Sequence, residues 1–566
     1  MNKTATQLIF ISVFVLPMLA AAGGMLIPAF GIITLGQWQA PSLSAWINLT
    51  DTPGLGQSSL LSISSGLVAT IISVVLSQAF VARRYSKGSS KGFDSLSRFL
   101  LAAPHVSVAV ATAFLLAPSG WLVRLLSPWM TGWERPADYL LPNDPWAGAL
   151  ILGIVMKELP FMLVVSVAAI NQIKPKPLLD TCQSLGYSFA QSWLFIIVPG
   201  IYKRIRLPIF IVLAFSVGAV EQALVLGPTQ PPTFSIKLMQ WFSDANLSSQ
   251  GTLAAGSLSL ILLTFLSFIV WRLLEIVITW LYKMRVSRGQ RQLFWAPVLW
   301  SISYIAGLLI IIAVVSVAML SVLSFTQGWR FPTFLPEHWS FAVWDSNIVL
   351  LLPALSQTLL LGVTAAILSV SLALVCLEMG QSDRFFEVYG KWWLFIPLFT
   401  PQVSLLFGLS LGWTLMRMDG MWLTVLWSHL IFCLPYAWLM LGDSFNAIDS
   451  RLIASARTLG ASQMKTFFVI KVPLLKQQIA NALALSFLVS ASLYLPTLFA
   501  GGGRFSTLTI ETMALAGSGD RRVLGALTLV QLMLPFIALL LAKWLPRIRL
   551  SHLRANESAD TAGAMN

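Results

Sequence analysis

Asp180-Thr181-Cys182-Gln183-Ser184-Leu185-Gly186, followed after nine residues by Ile196-Ile197-Val198-Pro199, has a counterpart 274 positions further on. The second copy reads Ala454-Ser455-Ala456-Arg457-Thr458-Leu459-Gly460, then nine residues, then Ile470-Lys471-Val472-Pro473. Each copy is a short polar passage between long apolar runs. In each, the Leu-Gly pair ends a short helix, because glycine enters the left-handed conformation at low cost and lets the chain turn. The Val-Pro pair opens the next helix, whose first turn tolerates a residue lacking a backbone donor. The expected product is a compact helix-turn-helix over Leu178–Leu185 and over Arg451–Leu459, each clamped between two apolar helices.

The apolar runs set the class. Of the 566 residues 57% are hydrophobic and only 10% charged, against about 25% charged in soluble domains. Stretches of 18 or more apolar residues recur, each able to cross a hydrocarbon layer about 30 Å thick as a helix. Twelve such spans are expected, among them Leu8–Ile33, Phe99–Leu116, Leu207–Leu226, Trp295–Phe325, Trp393–Leu415 and Ile479–Leu498. Most of the 36 Lys and Arg residues fall in connections on the side of the N-terminus. That bias makes this side cytosolic, puts both termini there, and explains the net charge of +14 without nucleic acid. The N-terminus imitates a secretion signal, but its apolar run continues past the usual length, so it reads as a retained first helix.

The repeat extends beyond the two loops. Pro104-His105-Val106-Ser107 matches Pro401-Gln402-Val403-Ser404, and Leu159-Pro160 matches Leu434-Pro435. The separation falls from 297 to 275 positions between these pairs. The second half therefore lacks about 22 residues, which belong to the outer connection Ala117–Pro145. Six spans per half give both halves the same orientation, and hence parallel repeats about an axis normal to the membrane, with a pathway between them. The boundaries expected are 1–282 for the first repeat (loop 178–199), 283–292 for a basic linker, 293–546 for the second repeat (loop 452–473), and 547–566 for a cytosolic tail.

The loop pattern resembles the cytoplasmic EAA loop (E-A-A, three residues, G, nine residues, I-x-L-P) of binding-protein-dependent ABC importer permeases. The Gly, Ile and Pro positions match in both copies, with Val in place of Leu before Pro. Asp180 stands at the acidic position of the first copy and Ala454 at that of the second. The whole chain resembles fused double permeases of this family, such as those for ferric iron and thiamine, and their uncharacterised relatives. The resemblance implies an all-α polytopic membrane protein of type I (MetI-like) fold. It also implies two separate ABC ATPase subunits below, a periplasmic solute-binding protein above, and a small-molecule substrate of thiamine-like or iron-like class. The location implied is the bacterial inner membrane. By carry-over, the ATPase-coupling residues would be Asp180, Cys182, Leu185, Gly186, Ile196 and Pro199 in the first loop. Ala454, Ala456, Leu459, Gly460, Ile470 and Pro473 would serve in the second, with Leu185 and Leu459 as apolar knobs.

Ionisable residues within spans are costly, at about 2.5–3.5 kcal/mol each on insertion scales, and mark candidate sites. Lys157 and Glu158 fall midway along the fourth span and Glu221 two-thirds along the fifth. Either Glu221 lines the pathway with Lys157 or Glu158 nearby, or Lys157 forms a structural ion pair with one of the two acids. His105 reads as a hydrogen-bond partner between helices, and Pro104, Pro160, Pro401 and Pro435 as kinks within them. No P-loop, Ser-His-Asp set, HExxH or Cys-based metal spacing occurs, so no catalytic residue, metal or cofactor is expected, and ATP hydrolysis falls to another polypeptide. An ion-gradient-driven secondary transporter is the alternative, but it gives no reason for two matched cytosolic loops.

Overall fold

The computed structural model describes residues 7–8, 10–34, 37–87, 100–244, 249–287, 295–380, 390–517 and 520–563. The fold is all-α, with only two short antiparallel strand pairs among the described residues, Ile33–Thr34 with Gln37–Trp38 and Thr326–Gly328 with His338–Trp339. Each pair follows the opening helix of its half, Leu16–Ala29 or Trp295–Leu323. Nine described helices are long and apolar enough to cross a membrane, or eleven if each of two sharply bent pairs counts as one span. The chain is a multi-pass membrane protein.

Continuity is where the expected spans and the structure part. Leu207–Leu226 is not one helix: Val198–Val217 stops at Gly218, and a short helix, Glu221–Leu226, follows. Ile479–Leu498 is interrupted likewise, between Lys476–Ser492 and Leu495–Gly501. Pro104 and Pro401 do not kink helices from within. Each is the N-cap of a new helix, His105–Leu116 or Gln402–Leu415, and in the second case the segments meet at 112°. The cause is local: proline disfavours helical geometry in the residue before it, and Thr400 is extended (φ −97°, ψ 130°). Pro160 and Pro435 do lie inside helices, Gly148–Ile173 and Trp422–Asn446. The first five linker residues, 283–287, continue helix Ser249–Ser287, and 288–294 lie outside the described residues. The helix Arg521–Gly563 runs through the expected start of the tail at 547.

The two halves interlock. Leu16–Ala29 packs on Gln402–Leu415, and Trp295–Leu323 packs on His105–Leu116, so each half lends its opening helix to the other. The first crossing is backbone to backbone: a Cβ placed on Gly24 would lie 2.0 Å from the carbonyl oxygen of Gly408. One apolar core runs through both halves.

Short helices after each break satisfy the carbonyls it exposes. Ser235 of Phe234–Phe242 donates to the Ala219 carbonyl at 2.8 Å, and Thr509 of Leu508–Ala516 donates to that of Ala491, also at 2.8 Å. Unpaired backbone groups are expensive within a membrane, so a broken span needs such partners.

Candidate functional site

The two motif loops have the same backbone. The first begins with helix Pro175–Ser184, and its end is closed by Gly186 N–H to Gln183 (2.9 Å) and Tyr187 N–H to Cys182 (3.1 Å). The second begins with Ser450–Thr458, closed by Gly460 N–H to Arg457 and Ala461 N–H to Ala456, both at 3.0 Å. Gly186 and Gly460 hold φ of +87° and +82°, left-handed values that a side chain disfavours. Ser188 and Ser462 then cap one-turn helices, Phe189–Ser192 and Gln463–Thr466. Each runs into a π-helical turn, Trp193–Ile197 or Phe467–Lys471. Pro199 and Pro473 follow at the first turn of the next helix.

Burial gives these positions distinct tasks. Cys182 and Ala456 face inward, whereas Asp180 and Ala454 are exposed. Leu185 is 55% exposed and Leu459 87%, although both are large and apolar. Ile196 and Pro473 are exposed, and Ile470 and Pro199 partly so. Each glycine turn thus leaves a large apolar side chain exposed beside it.

Both loops lie on one face of the molecule, as a chain of contacts shows. Phe189 in the first loop stacks on Trp300 at the start of helix Trp295–Leu323 (6.0 Å). Just beyond the far end of that helix, the Gln327 carbonyl accepts from Arg522 at 2.7 Å, at the start of Arg521–Gly563. The returning helix reaches Ala542, whose carbonyl accepts from Gln477 at 3.2 Å, immediately after the second loop. At the far end, hydrogen bonds from Arg522 hold the Asp520 carboxyl below its ordinary range.

The anchors of the loops differ. Lys471, in the π turn of the second, makes a buried ion pair with Glu378 at 2.6 Å, and lies 5.1 Å from the Phe445 ring. Gln463 approaches the same carboxylate at 3.4 Å. The first loop has Ile197 at the corresponding place, wholly buried, with Trp193 against Tyr85 at 5.6 Å. After the first loop, Glu275 gathers Arg206 (3.1 Å), Arg272 and Tyr202, tying Val198–Val217 to Ser249–Ser287. Lys471 stands at the unspecified position of the I-x-L-P pattern, which assigns it no role. Its signal was a lysine in an apolar segment, matched by Glu378 in the equally apolar Leu377-Glu378-Met379.

The three intramembrane candidates are not one cluster. Lys157 forms no ion pair with Glu158 or Glu221 among the described residues. Its ammonium donates to the carbonyls of Ala103 (2.5 Å), Leu101 (3.0 Å) and Leu100 (3.5 Å). These carbonyls end the segment that Pro104 interrupts, so the lysine caps the break. Glu158 sits 4.0 Å from His105 Nδ1, too far to hydrogen-bond, and the His105 ring lies against Phe215 at 4.4 Å. Among the described residues the histidine makes no interhelical hydrogen bond, unlike the expectation. Glu221, buried at the first position after the break, is near Tyr494 at the opposing break, whose backbone N–H is its polar neighbour. It stands at a helix start, not two-thirds along a span. A further polar group escaped sequence reasoning altogether: His429, buried, lies between Ser490 (2.8 Å) and Thr497 (3.0 Å) and joins both sides of the second break. Among the described residues no group of His, Cys, Asp or Glu is arranged to hold a metal, and all three cysteines are free.

An interlocked all-α membrane protein with two matched loops on one face has the form of a transport component. Its known relatives are of that kind. The chain is 29% identical over 554 residues to the inner membrane ABC transporter permease protein YnjC of Escherichia coli K12, covering 96% of this chain and 99% of that one. Over 155 residues it is 26% identical to the spermidine/putrescine transport system permease protein PotC of Haemophilus influenzae, covering 27% of this chain and 60% of the relative. Over 175 residues it is 29% identical to the putrescine transport system permease protein PotI of E. coli K12, covering 29% and 59%. No family model matches. The chain thus resembles a fused double permease of ABC transporters over nearly its whole length, and these relatives are transport components, not enzymes.

Proposed function

We propose that the chain is the membrane-spanning subunit of a binding-protein-dependent ABC importer of the bacterial inner membrane, carrying both halves of the pathway in one polypeptide. The observation that carries this reading is the pair of loops, alike in backbone and on one face, each presenting a leucine to the exterior. In this reading the loops and both termini are cytosolic, and each loop docks on one ABC ATPase subunit. Asp180, Leu185 and Gly186 in one loop, and Ala454, Leu459 and Gly460 in the other, form the docking segments. A solute-binding protein meets the opposite face. ATP binding draws the ATPase pair together, and the loops pass that movement to the helices that follow Pro199 and Pro473. The breaks at Gly218 and Leu493 lie further along those helices, so Glu221 and Tyr494 are the pathway groups most directly displaced. Lys157 and Glu158 act behind them, holding the break at Pro104.

The substrate is a small solute. The expectation of thiamine or ferric iron draws no support from the relatives, and the names of the partial relatives carry spermidine and putrescine. The test is co-purification with the ATPase subunit, using Leu185→Asp and Leu459→Asp. Both leucines are exposed, so folding should be unaffected while the ATPase is lost. An ATPase retained by the double variant, with uptake that survives nucleotide depletion and collapses with the ion gradient, would favour the secondary transporter.

A further inference from the structure

On the outside of the helix bundle a groove of about 460 Å³ runs between the halves. One wall is Phe210 of Val198–Val217 with Phe265 and Phe268 of Ser249–Ser287, from the first half. The other is Trp393, Ile396 and Phe399 of Lys391–Phe399, from the second. Edge-to-face contacts join the walls, Phe210 to Phe268 at 5.2 Å and Phe268 to Phe399 at 6.2 Å. The lining is apolar except for Thr400, whose hydroxyl is spent on the Ile396 carbonyl at 2.9 Å. The groove is open to its surroundings, with Phe265 and Trp392 exposed along it. Its size is that of a ligand site, and its chemistry suits hydrocarbon.

Toward the loop face the groove gives way to a cationic cluster. Tyr202, Arg206 and Phe210 recur at helical spacing on one face of Val198–Val217, which begins at the first loop. Phe265, Phe268, Arg272 and Glu275 form a like stripe on Ser249–Ser287. The Arg206 guanidinium lies 5.7 Å from the Phe210 ring, at the mouth of the groove. Glu275 accepts from Arg206 Nε at 3.1 Å, from Arg272 and from the Tyr202 hydroxyl. One carboxylate therefore faces two guanidiniums, and the cluster keeps a net positive charge. Among the described residues Arg206 bonds only through Nε and Arg272 only through Nη1. Arg272 is exposed and Arg206 partly so, which leaves their other N–H groups for an acceptor outside the protein. The second half lacks this arrangement: at the repeat positions of Arg206 and Phe210 stand Ala480 and Ala484.

We infer that the groove seats one anionic phospholipid of the membrane, an acyl chain along the aromatic walls and the phosphate on Arg206 and Arg272. An amphiphile charged at one end matches a hydrocarbon groove charged at one end, whereas an apolar helix of another protein would leave the guanidiniums unused. The planar fork of arginine pairs with phosphate oxygens, and basic pockets between membrane helices select acidic headgroups. The seat also bridges the halves next to their broken helices, since a Cβ placed on Gly218 would lie 2.9 Å from Pro401, which closely follows Phe399. A lipid held there fastens one half to the other. The inference goes beyond the importer reading and needs only a membrane-spanning chain.

The test is native mass spectrometry of the full chain released from nanodiscs of mixed phosphatidylglycerol and phosphatidylcholine, with thermal unfolding in detergent as each lipid is added. A single phosphatidylglycerol should persist after phosphatidylcholine is stripped, and phosphatidylglycerol alone should raise the unfolding temperature. Arg272→Gln, at an exposed position, should cut its retention about tenfold, the worth of one charge-assisted hydrogen bond. Ile396→Trp, which puts an indole into the groove, should lose the lipid with the charges intact. Glu275→Gln, which frees both guanidiniums, should keep it or hold it more tightly. Equal retention of the two lipids, or retention unmoved by Arg272→Gln, overturns the inference. So does loss of the lipid from Glu275→Gln at normal thermal stability. A lipid-free dimer also overturns it, by giving the groove to a second copy of the chain.

Discussion

Replacing Lys471 with methionine strands Glu378. The two groups are 2.6 Å apart and both are buried, Lys471 at 2% and Glu378 at 5% exposure. At an effective dielectric of about 20 their attraction is on the order of 6 kcal/mol before desolvation is counted. Desolvation of both ions consumes much of that, so the intact pair adds little net stability. Removing one partner is different, because the other keeps its desolvation cost without compensation, and the expected loss is about 3–5 kcal/mol. Lys471→Met with Glu378→Met should recover most of it, since two apolar side chains of similar volume fill the same space. The assay is denaturant unfolding in detergent, combined with amide exchange resolved over residues 463–474 and 189–200. The single variant should lose protection in the second loop and keep it in the first. Single-variant stability within about 1 kcal/mol of the parent, or a double variant no better than the single, would refute the pair as anchor of that loop.

Lys157→Met leaves the carbonyls of Leu101 and Ala103 without their ammonium donor, and should cost about 1–3 kcal/mol in unfolding measurements. Gly24→Val should abolish the approach of the opening helix to Gln402–Leu415, since even a Cβ would meet the Gly408 carbonyl at 2.0 Å; a chain that fails to accumulate in the membrane is the expected result. A Cβ added at Gly460 meets no atom within 4 Å, so the cost of Gly460→Ala is conformational, about 1–2 kcal/mol at φ +82°. That variant should leave the fold standing and release the ATPase in co-purification.

What the sequence made legible was backbone punctuation. Gly186 and Gly460 could be placed because a left-handed turn discriminates strongly among residue types. Pro199 and Pro473 could be placed because a missing donor is harmless in a first turn. Continuity of the spans was not legible at Gly218 or Leu493: the polar residues and the proline beside them (Glu221, Gln222, Ser492, Pro496) are of kinds that also occur within unbroken spans, and what stabilises the breaks comes from residues elsewhere, Ser235 and Thr509. Pro104 and Pro401 were visible, but whether a proline kinks a helix or ends it depends on who receives the freed carbonyls. At Pro104 the receiver is Lys157, more than fifty positions away. The same separation hid the true partners of the buried charges. Of the two readings open for Lys157, the ion pair is not formed among the described residues, because the ammonium serves backbone oxygens, while Lys471 and Glu378 meet across 93 positions.

Strict likeness in backbone with freedom in anchors has a physical reason. A loop that must present a leucine at a fixed place has its turn constrained by dihedral angles, and few residues meet that constraint, so Gly and Pro recur in both copies. The contact that holds the loop to its helices has only to be strong and local, and many side-chain sets suffice. One copy uses a wholly buried isoleucine and a Trp–Tyr contact; the other uses an ion pair. In the importer reading proposed above, equal loops would let both halves take equal strokes from the ATPase pair, while the unequal anchors leave each loop its own coupling to the helices behind it.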